Sequence, residues 1–278
     1  MSAHKDPAST GHPAAASALT QVFRAAGKPL LMPYAVGGYP DPDSCVEIVR
    51  AYVKNGADLV ELGIPFSDPL ADGPVVQSAS AAALRRGVRL ADVLRIAGVM
   101  AEEGVRVVLL SYLNTILAFG PERFFDRCRD GGVLGVVVPD VPVEEATDLR
   151  ATAGARGVDV ILLAAPTSTD GRLARIAQAA SGFIYCVSTV GVTGSRASLR
   201  ADLPGFVARV REHTELPLAV GFGVSTAEQA EEVAGYADGV IIGSALVDMV
   251  ARSRSLSEGL AAIGRFVYRV RSMPSLSR

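Results

Sequence analysis

The sequence predicts a closed (β/α)8 barrel, the TIM-barrel architecture, as a single domain with one extra helix at its N-terminal side. Three observations carry this expectation. Eight short apolar segments alternate with helical ones over about 250 residues, the count and length of such a barrel. The segments are near-continuous apolar runs broken by Gly and Pro, as expected of parallel strands buried on both faces. Polar residues able to do chemistry collect just after several of these segments, where barrels carry their sites. The rival is a doubly wound nucleotide-binding sheet, but no G-x-G-x-x-G follows the first strand.

Residues 1–16 are small and polar and read as a disordered lead-in, leaving 17–278 for the barrel. A short helix is expected over 17–26, stopped by Gly27, and the first strand over 30–36 (LLMPYAV). Asp43 or Ser44 can cap the next helix, which runs to about Asn55 before Gly56. Strand two covers 58–62, with helices near 76–85 and 90–103. Further strands are expected at 105–110, 135–138, 158–163, 182–187, 218–220 and 239–242. The helices between them fall at 121–129 (opened by Pro121), 143–155, 170–180, through about His213, and 225–234; more helices close the chain.

Composition narrows the partners. The net charge of −2 comes without a basic block, which disfavours nucleic acid. The mean hydropathy of +0.31 is high, yet no apolar run reaches membrane-spanning length, and the first residues lack the apolar core of a secretory signal. Cys45, Cys128 and Cys186 are isolated and odd in number, which suits reduced thiols in a cytoplasmic protein.

The most chemically committed stretch is residues 60–74, VELGIPFSDPLADGP. Glu61 sits inside an apolar strand, where a carboxylate costs several kcal/mol to desolvate and is therefore paired or functional. Asp72 follows eleven residues later, in a Gly/Pro-rich loop able to fold back over the strand. Two carboxylates in different environments suit acid/base work, since burial raises one pKa while solvation leaves the other low. The alternative is a buried Glu paired to an Arg beside a plain Asp-Pro turn.

Other polar residues fall at the same strand ends: Gly37, Gly38 and Tyr39; Ser111, Tyr112 and Asn114; Asp140; and Tyr185. After strands seven and eight come Gly221-Phe222-Gly223-Val224-Ser225 and Gly243-Ser244, and Gly194 follows strand six. Gly and Ser at helix starts offer free N–H groups to an anion. Such pairs are common in any turn, but three together at the last loops point to phosphate. The three lysines, Lys5, Lys28 and Lys54, avoid the strands, which disfavours a Schiff base. His4, His12 and His213 lie in the tail and at a helix end, which disfavours a histidine metal site or base. Carboxylates acting on a phosphorylated substrate, without metal, imine or redox cofactor, remain.

At these residues the chain resembles the tryptophan synthase alpha family from about Ala18 to Tyr268. The resemblance rests on Glu61 with LGIPFSDPLADGPVVQ (62–77), VPDVPVEE (138–145), GVTG (191–194) and GFGVS (221–225). It implies retro-aldol cleavage of indole-3-glycerol phosphate to indole and glyceraldehyde 3-phosphate. Glu61 would be the acid/base and Asp72 the acceptor of the indole N–H. Tyr112, Tyr185 and Phe222 would contact the substrate, and Gly194, Gly223, Gly243 and Ser244 its phosphate. No metal and no cofactor are implied for this chain. Pyridoxal phosphate would belong to a partner beta subunit in an α2β2 complex, which the loops at about 66–72 and 188–198 would touch. Ser111 to Gly120 (SYLNTILAFG) is unusually apolar for the family, and Thr189 stands where some members have Arg. Three other readings stay open: a stand-alone indole-releasing lyase, a sugar-phosphate isomerase on the same barrel, and a non-catalytic activator of the beta chain.

Overall fold

A computed structural model describes residues 16–188 and 202–277. In chain order the elements are α1 (Ala18–Ala26), β1 (Leu30–Val36), α2 (Pro42–Lys54), β2 (Val60–Gly63), α3 (Pro74–Arg85), α4 (Leu90–Glu102), β3 (Val107–Leu110), α5 (Leu113–Phe119), α6 (Pro121–Asp130), β4 (Val133–Val137), α7 (Thr147–Gly154), β5 (Asp159–Ala164), α8 (Asp170–Ala179), β6 (Ile184–Val187), α9 (Leu203–Arg211), β7 (Leu218–Gly221), α10 (Ala227–Ala234), β8 (Gly239–Ile242), α11 (Ser244–Arg252), α12 (Leu256–Arg271) and α13 (Pro274–Ser277). The eight strands pair in parallel and in sequence order, and β8 closes on β1 through Leu30–Gly239 to Pro33–Ile242.

Alternation along each strand divides the apolar residues between two cores. Met32, Tyr34, Val36, Val108, Leu110, Val137, Ile161, Tyr185, Ala219 and Ile241 fill the barrel. Leu31, Ala35, Val60, Leu62, Leu109, Val136, Val160 and Val240 pack outward against the helices. Both faces of every strand are thus covered, which explains the near-continuous apolar runs. Pro33 has no N–H, and ladder pairing of β1 with β2 begins only at Tyr34–Glu61. Asp58 ties the lower part instead: its carboxylate accepts from the Leu31 N–H at 2.8 Å and from Arg271 on α12 at 3.0 Å.

The extra helix plugs the floor of the barrel. Ser17 caps α1 by accepting from the Thr20 N–H, and Gly27 ends it at φ +65°. Its apolar side delivers Leu19 and Phe23 into the inner core, with the Phe23 ring 5.2 Å from Phe183. The Thr20 hydroxyl donates to the Gly182 carbonyl at 2.8 Å and latches the helix to the start of β6.

Three local expectations change. The cap of α2 is Asp41, which accepts from the Ser44 N–H at 2.9 Å, because Pro42 already occupies the first helical position. The helix expected from Val143 begins only at Thr147, after a turn closed by the Glu145 N–H donating to the Pro142 carbonyl. The apolar run after strand three, to which the sequence pattern assigns no element, forms the short helix α5, whose leading Leu113 N–H donates to both oxygens of the Asp140 carboxylate at 3.0 and 3.1 Å. A charge from the following βα loop thus replaces the local cap that sequence inspection looks for. The proposed tail 1–16 lies outside the described residues except for Ala16. Among the described residues, no helix is long and apolar enough to cross a membrane.

Candidate active site

Glu61 occupies the middle of β2 and points into the barrel, 2% exposed. Its Oε1 is fully buried without a hydrogen-bond partner, and among the described residues no Arg, Lys or His forms an ion pair with it. Among the described residues, no arginine supplies the structural Glu–Arg pair. Burial, reinforced by the nearby Asp72 charge, pushes its pKa up to about 8. Glu61 carries a proton at neutral pH.

Asp72 is placed by the loop between β2 and α3. Its N–H donates to the Pro69 carbonyl, and its own carbonyl accepts from the Gln77 side chain at 2.8 Å. The carboxyl is buried rather than solvated, and burial pushes it up to about 6, with the Tyr112 hydroxyl acting in the opposite sense. The contrast between the two acids expected from the sequence survives in order only: both are raised, Glu61 further. Near neutrality the pair holds one proton-bearing and one ionised carboxyl, the combination acid/base chemistry requires.

Both acids face a cavity at the C-terminal ends of the strands. Of the residues singled out in the sequence, Glu61, Asp72, Tyr185, Phe222, Gly243 and Ser244 line it. Tyr112 stands behind the wall, 2% exposed. Its ring stacks on Phe66 at 5.1 Å, and its hydroxyl accepts from the Ala71 N–H at 3.0 Å, bracing the loop that carries Asp72. Gly223 is also set back, at φ +94°. Gly194, Thr189 and the rest of the expected 188–198 loop apart from Ser188 lie outside the described residues. Tyr34, Leu110 and Ile241 belong to the wall and were not singled out, because in sequence an inward strand residue at the cavity looks like one in the core.

The anion cradle forms where β8 meets α11. Gly243 precedes the helix, and the first-turn N–H groups of Ser244 and Ala245 have no partner among the described residues. A Cβ on Gly243 would sit 3.7 Å from Tyr34, so its absence leaves space for a ligand rather than relieving a clash. The other candidate helix start, α10, is closed: its capping box occupies Thr226, and the Ser225 N–H donates to Gln229. Phe222 is the single non-glycine residue with positive φ (+62°) among those described, a conformation costing roughly 1–2 kcal/mol. Its ring packs 5.2 Å from Tyr185. Strain held at a cavity rim is consistent with a ligand clamp. Among the described residues no cluster of side chains could hold a metal.

Comparison with known proteins follows the same lines. The family model described as tryptophan synthase alpha chain matches residues 21–271. The chain belongs to the tryptophan synthase alpha chain family. The alpha chain of Roseiflexus castenholzii is 47% identical over 247 residues, covering 88% of this chain and 94% of that protein. The alpha chain of Lacticaseibacillus casei is 44% identical over 256 residues, covering 92% and 94%. A solved structure of Mycobacterium tuberculosis tryptophan synthase superposes with a TM-score of 0.84 at 39% identity, covering 92% of this chain and 99% of that one. The (β/α)8 barrel is therefore that of tryptophan synthase alpha chains, and the cavity at its mouth is where the family's chemistry has to be sought.

Proposed function

We infer that the chain is a lyase cleaving indole-3-glycerol phosphate to indole and glyceraldehyde 3-phosphate, with Glu61 and Asp72 as its working carboxylates. The observation that supports this reading most strongly is Glu61: buried, unpaired, raised to about 8, and sharing a cavity with a second carboxylate. A proton-bearing Glu61 can protonate C3 of the indole ring, which places positive charge on the ring nitrogen. Ionised Asp72 accepts the ring N–H and stabilises that charge. Glu61, now a carboxylate, takes the proton of the adjacent glycerol hydroxyl. The carbon–carbon bond then breaks, its electrons restore the aromatic ring, and the aldehyde forms. The proton count closes and Glu61 returns to its starting state. The ring is its own electron sink, so neither lysine nor metal is needed.

Gly243, Ser244 and the start of α11 bind the phosphate in this reading, assisted by Gly223 and by Gly194. Tyr185 and Phe222 hold the indole, and Tyr112 contributes through the loop it braces. Replacing Gly243 with Asp would put a negative charge into the cradle with little steric conflict. KM is expected to rise tenfold or more, about 1.4 kcal/mol of lost binding, with the fold intact. Steady-state kinetics with a thermal melt check this, and an unchanged KM would remove the cradle assignment.

The partner we propose is a pyridoxal-phosphate beta subunit in an α2β2 complex, to which indole passes. The cofactor belongs to that subunit, and no lysine lies in any strand among the described residues. Leu70 and Leu117, 77% and 54% exposed near the barrel mouth, suit contact with another protein. Three buried free thiols fit a reducing compartment such as the cytoplasm. The deciding experiment measures indole release from indole-3-glycerol phosphate by the purified chain, alone and with a beta subunit. Release that rises sharply with the partner is expected. Fast release indifferent to it would favour a stand-alone lyase, and no release in either condition would overturn the reading.

A further inference from the structure

Tyr34 is absent from the chemistry above, yet its placement is specific. It pairs in register with Glu61 across β1 and β2, and both side chains enter the barrel. Its ring leans over Gly63, the next residue of β2 on the face that carries Glu61: a Cβ there would lie 2.1 Å from the Tyr34 hydroxyl. The sequence thus spends a glycine to admit this hydroxyl at the mouth side of Glu61. On the opposite wall the same construction recurs, with the Tyr185 hydroxyl 2.1 Å from where a Cβ of Gly221 would be. Behind Tyr34, the Tyr52 hydroxyl on α2 donates to its carbonyl at 3.1 Å and fixes the strand end.

The hydroxyl faces the cavity and makes no hydrogen bond among the described residues, while Oε1 of Glu61, on the same wall, is buried and equally unpartnered. Asp72 already has the Tyr112 hydroxyl beside it. We propose that the Tyr34 hydroxyl is a positioning group for Glu61, donating a hydrogen bond to its carboxylate once the proton has left, so that the charge forms with a donor beside it where the described lining offers no cation.

The titratable groups facing Glu61 and Tyr34 are Asp72 from the loop after β2, Tyr185 from β6, Tyr112 from the start of α5, and Cys45 from α2 behind Tyr34. No Arg, Lys or His lines the cavity among the described residues. Burial, Asp72 and Glu61 raise the Tyr34 phenol well above its ordinary value, so it stays protonated and able to donate across the working range.

The inference rests on the assignment of Glu61 as acid/base, and the test separates the two. Indole release by the full-length chain is followed from pH 5 to 10 for the wild type, Tyr34→Phe and Glu61→Gln. Tyr34→Phe keeps the ring and its packing. Its kcat is expected to fall about tenfold with KM little changed, and the Glu61 inflection to move up by about one pH unit, the sign of a lost donor to the ionised form. A profile superimposable on the wild type, or a rise in KM alone, would overturn the proposal and leave Tyr34 as cavity wall. If Tyr34→Phe does not fold, 3-fluorotyrosine at position 34 decides: a more acidic phenol donates more strongly and moves the inflection down, whereas an unmoved inflection overturns the idea. Wild-type turnover in Glu61→Gln would sink the assignment beneath it instead.

Discussion

Glu61→Gln is expected to lower the rate of indole release by about a thousandfold or more, within the range that acid/base catalysis supplies. An amide cannot give its proton to C3 and cannot take one from the glycerol hydroxyl, so both halves of the reaction lose their carrier. The same substitution should stabilise the fold, with a definite dependence on pH. Glu61 has a folded pKa near 8 and an unfolded one near 4.5, so between those values the folded chain binds a proton that the unfolded chain has lost. Stability linked to this group is fully present below about pH 4.5 and is lost as pH rises through 8. The Gln variant has no such loss. Its melting temperature should exceed that of the wild type at pH 8 and converge on it at pH 5. A wild-type rate would remove the acid/base role; a melting difference that does not grow with pH would show that Glu61 is not proton-bearing in the folded chain.

Asp72→Asn is expected to cost about a hundredfold in kcat, comparable to removing one preorganised electrostatic contact. The amide oxygen still accepts the indole N–H, so binding should weaken much less than turnover. What disappears is the negative charge opposite a ring nitrogen that becomes positive. Because Asp72 is pushed up to about 6, wild-type activity should also fall as pH drops through that value, and this limb should vanish in the Asn variant. Single-turnover indole release across pH 5–9 reads both effects. A variant whose kcat stays within a factor of two, with its acid limb intact, would remove the role given to Asp72.

The barrel was legible because its signals are redundant: eight two-sided strands cannot all be disguised, and Gly or Pro marks most of the turns. Glu61 was legible because an acid inside an apolar strand is conspicuous, and Asp72 because the loop around it is so distinctive. What could not be read depends on contacts between distant segments. The cap of α5 is Asp140, twenty-seven residues from the Leu113 it holds, so SYLNTILAFG carries no local sign of a helix start. Tyr112, expected to contact the substrate, also braces the Asp72 loop through the Ala71 N–H and the Phe66 ring, a contact no local pattern announces. Asp72 was expected to be solvated, and only the folding-over of its loop buries it. Tyr34 hides among apolar neighbours, and its one written clue is Gly63, a glycine two positions beyond its cross-strand partner.

The aromatic residues inside the barrel have a consequence for how the two ends communicate. Phe23 of the floor helix contacts Phe183, Phe183 contacts Tyr185, and Tyr185 contacts the strained Phe222 at the rim, with centroid separations of 5.2, 6.3 and 5.2 Å. This is a row of rigid plates, each tilted against the next by 34–53°, running from the closed end of the barrel to its open end. Dense interiors pass displacement on rather than absorb it. Along this line the packed lower half of the barrel is joined ring to ring with the half that carries the cavity. A smaller ring at position 23 would let the plates above it settle, and the tilt would be felt at the residue whose backbone has the least freedom to follow.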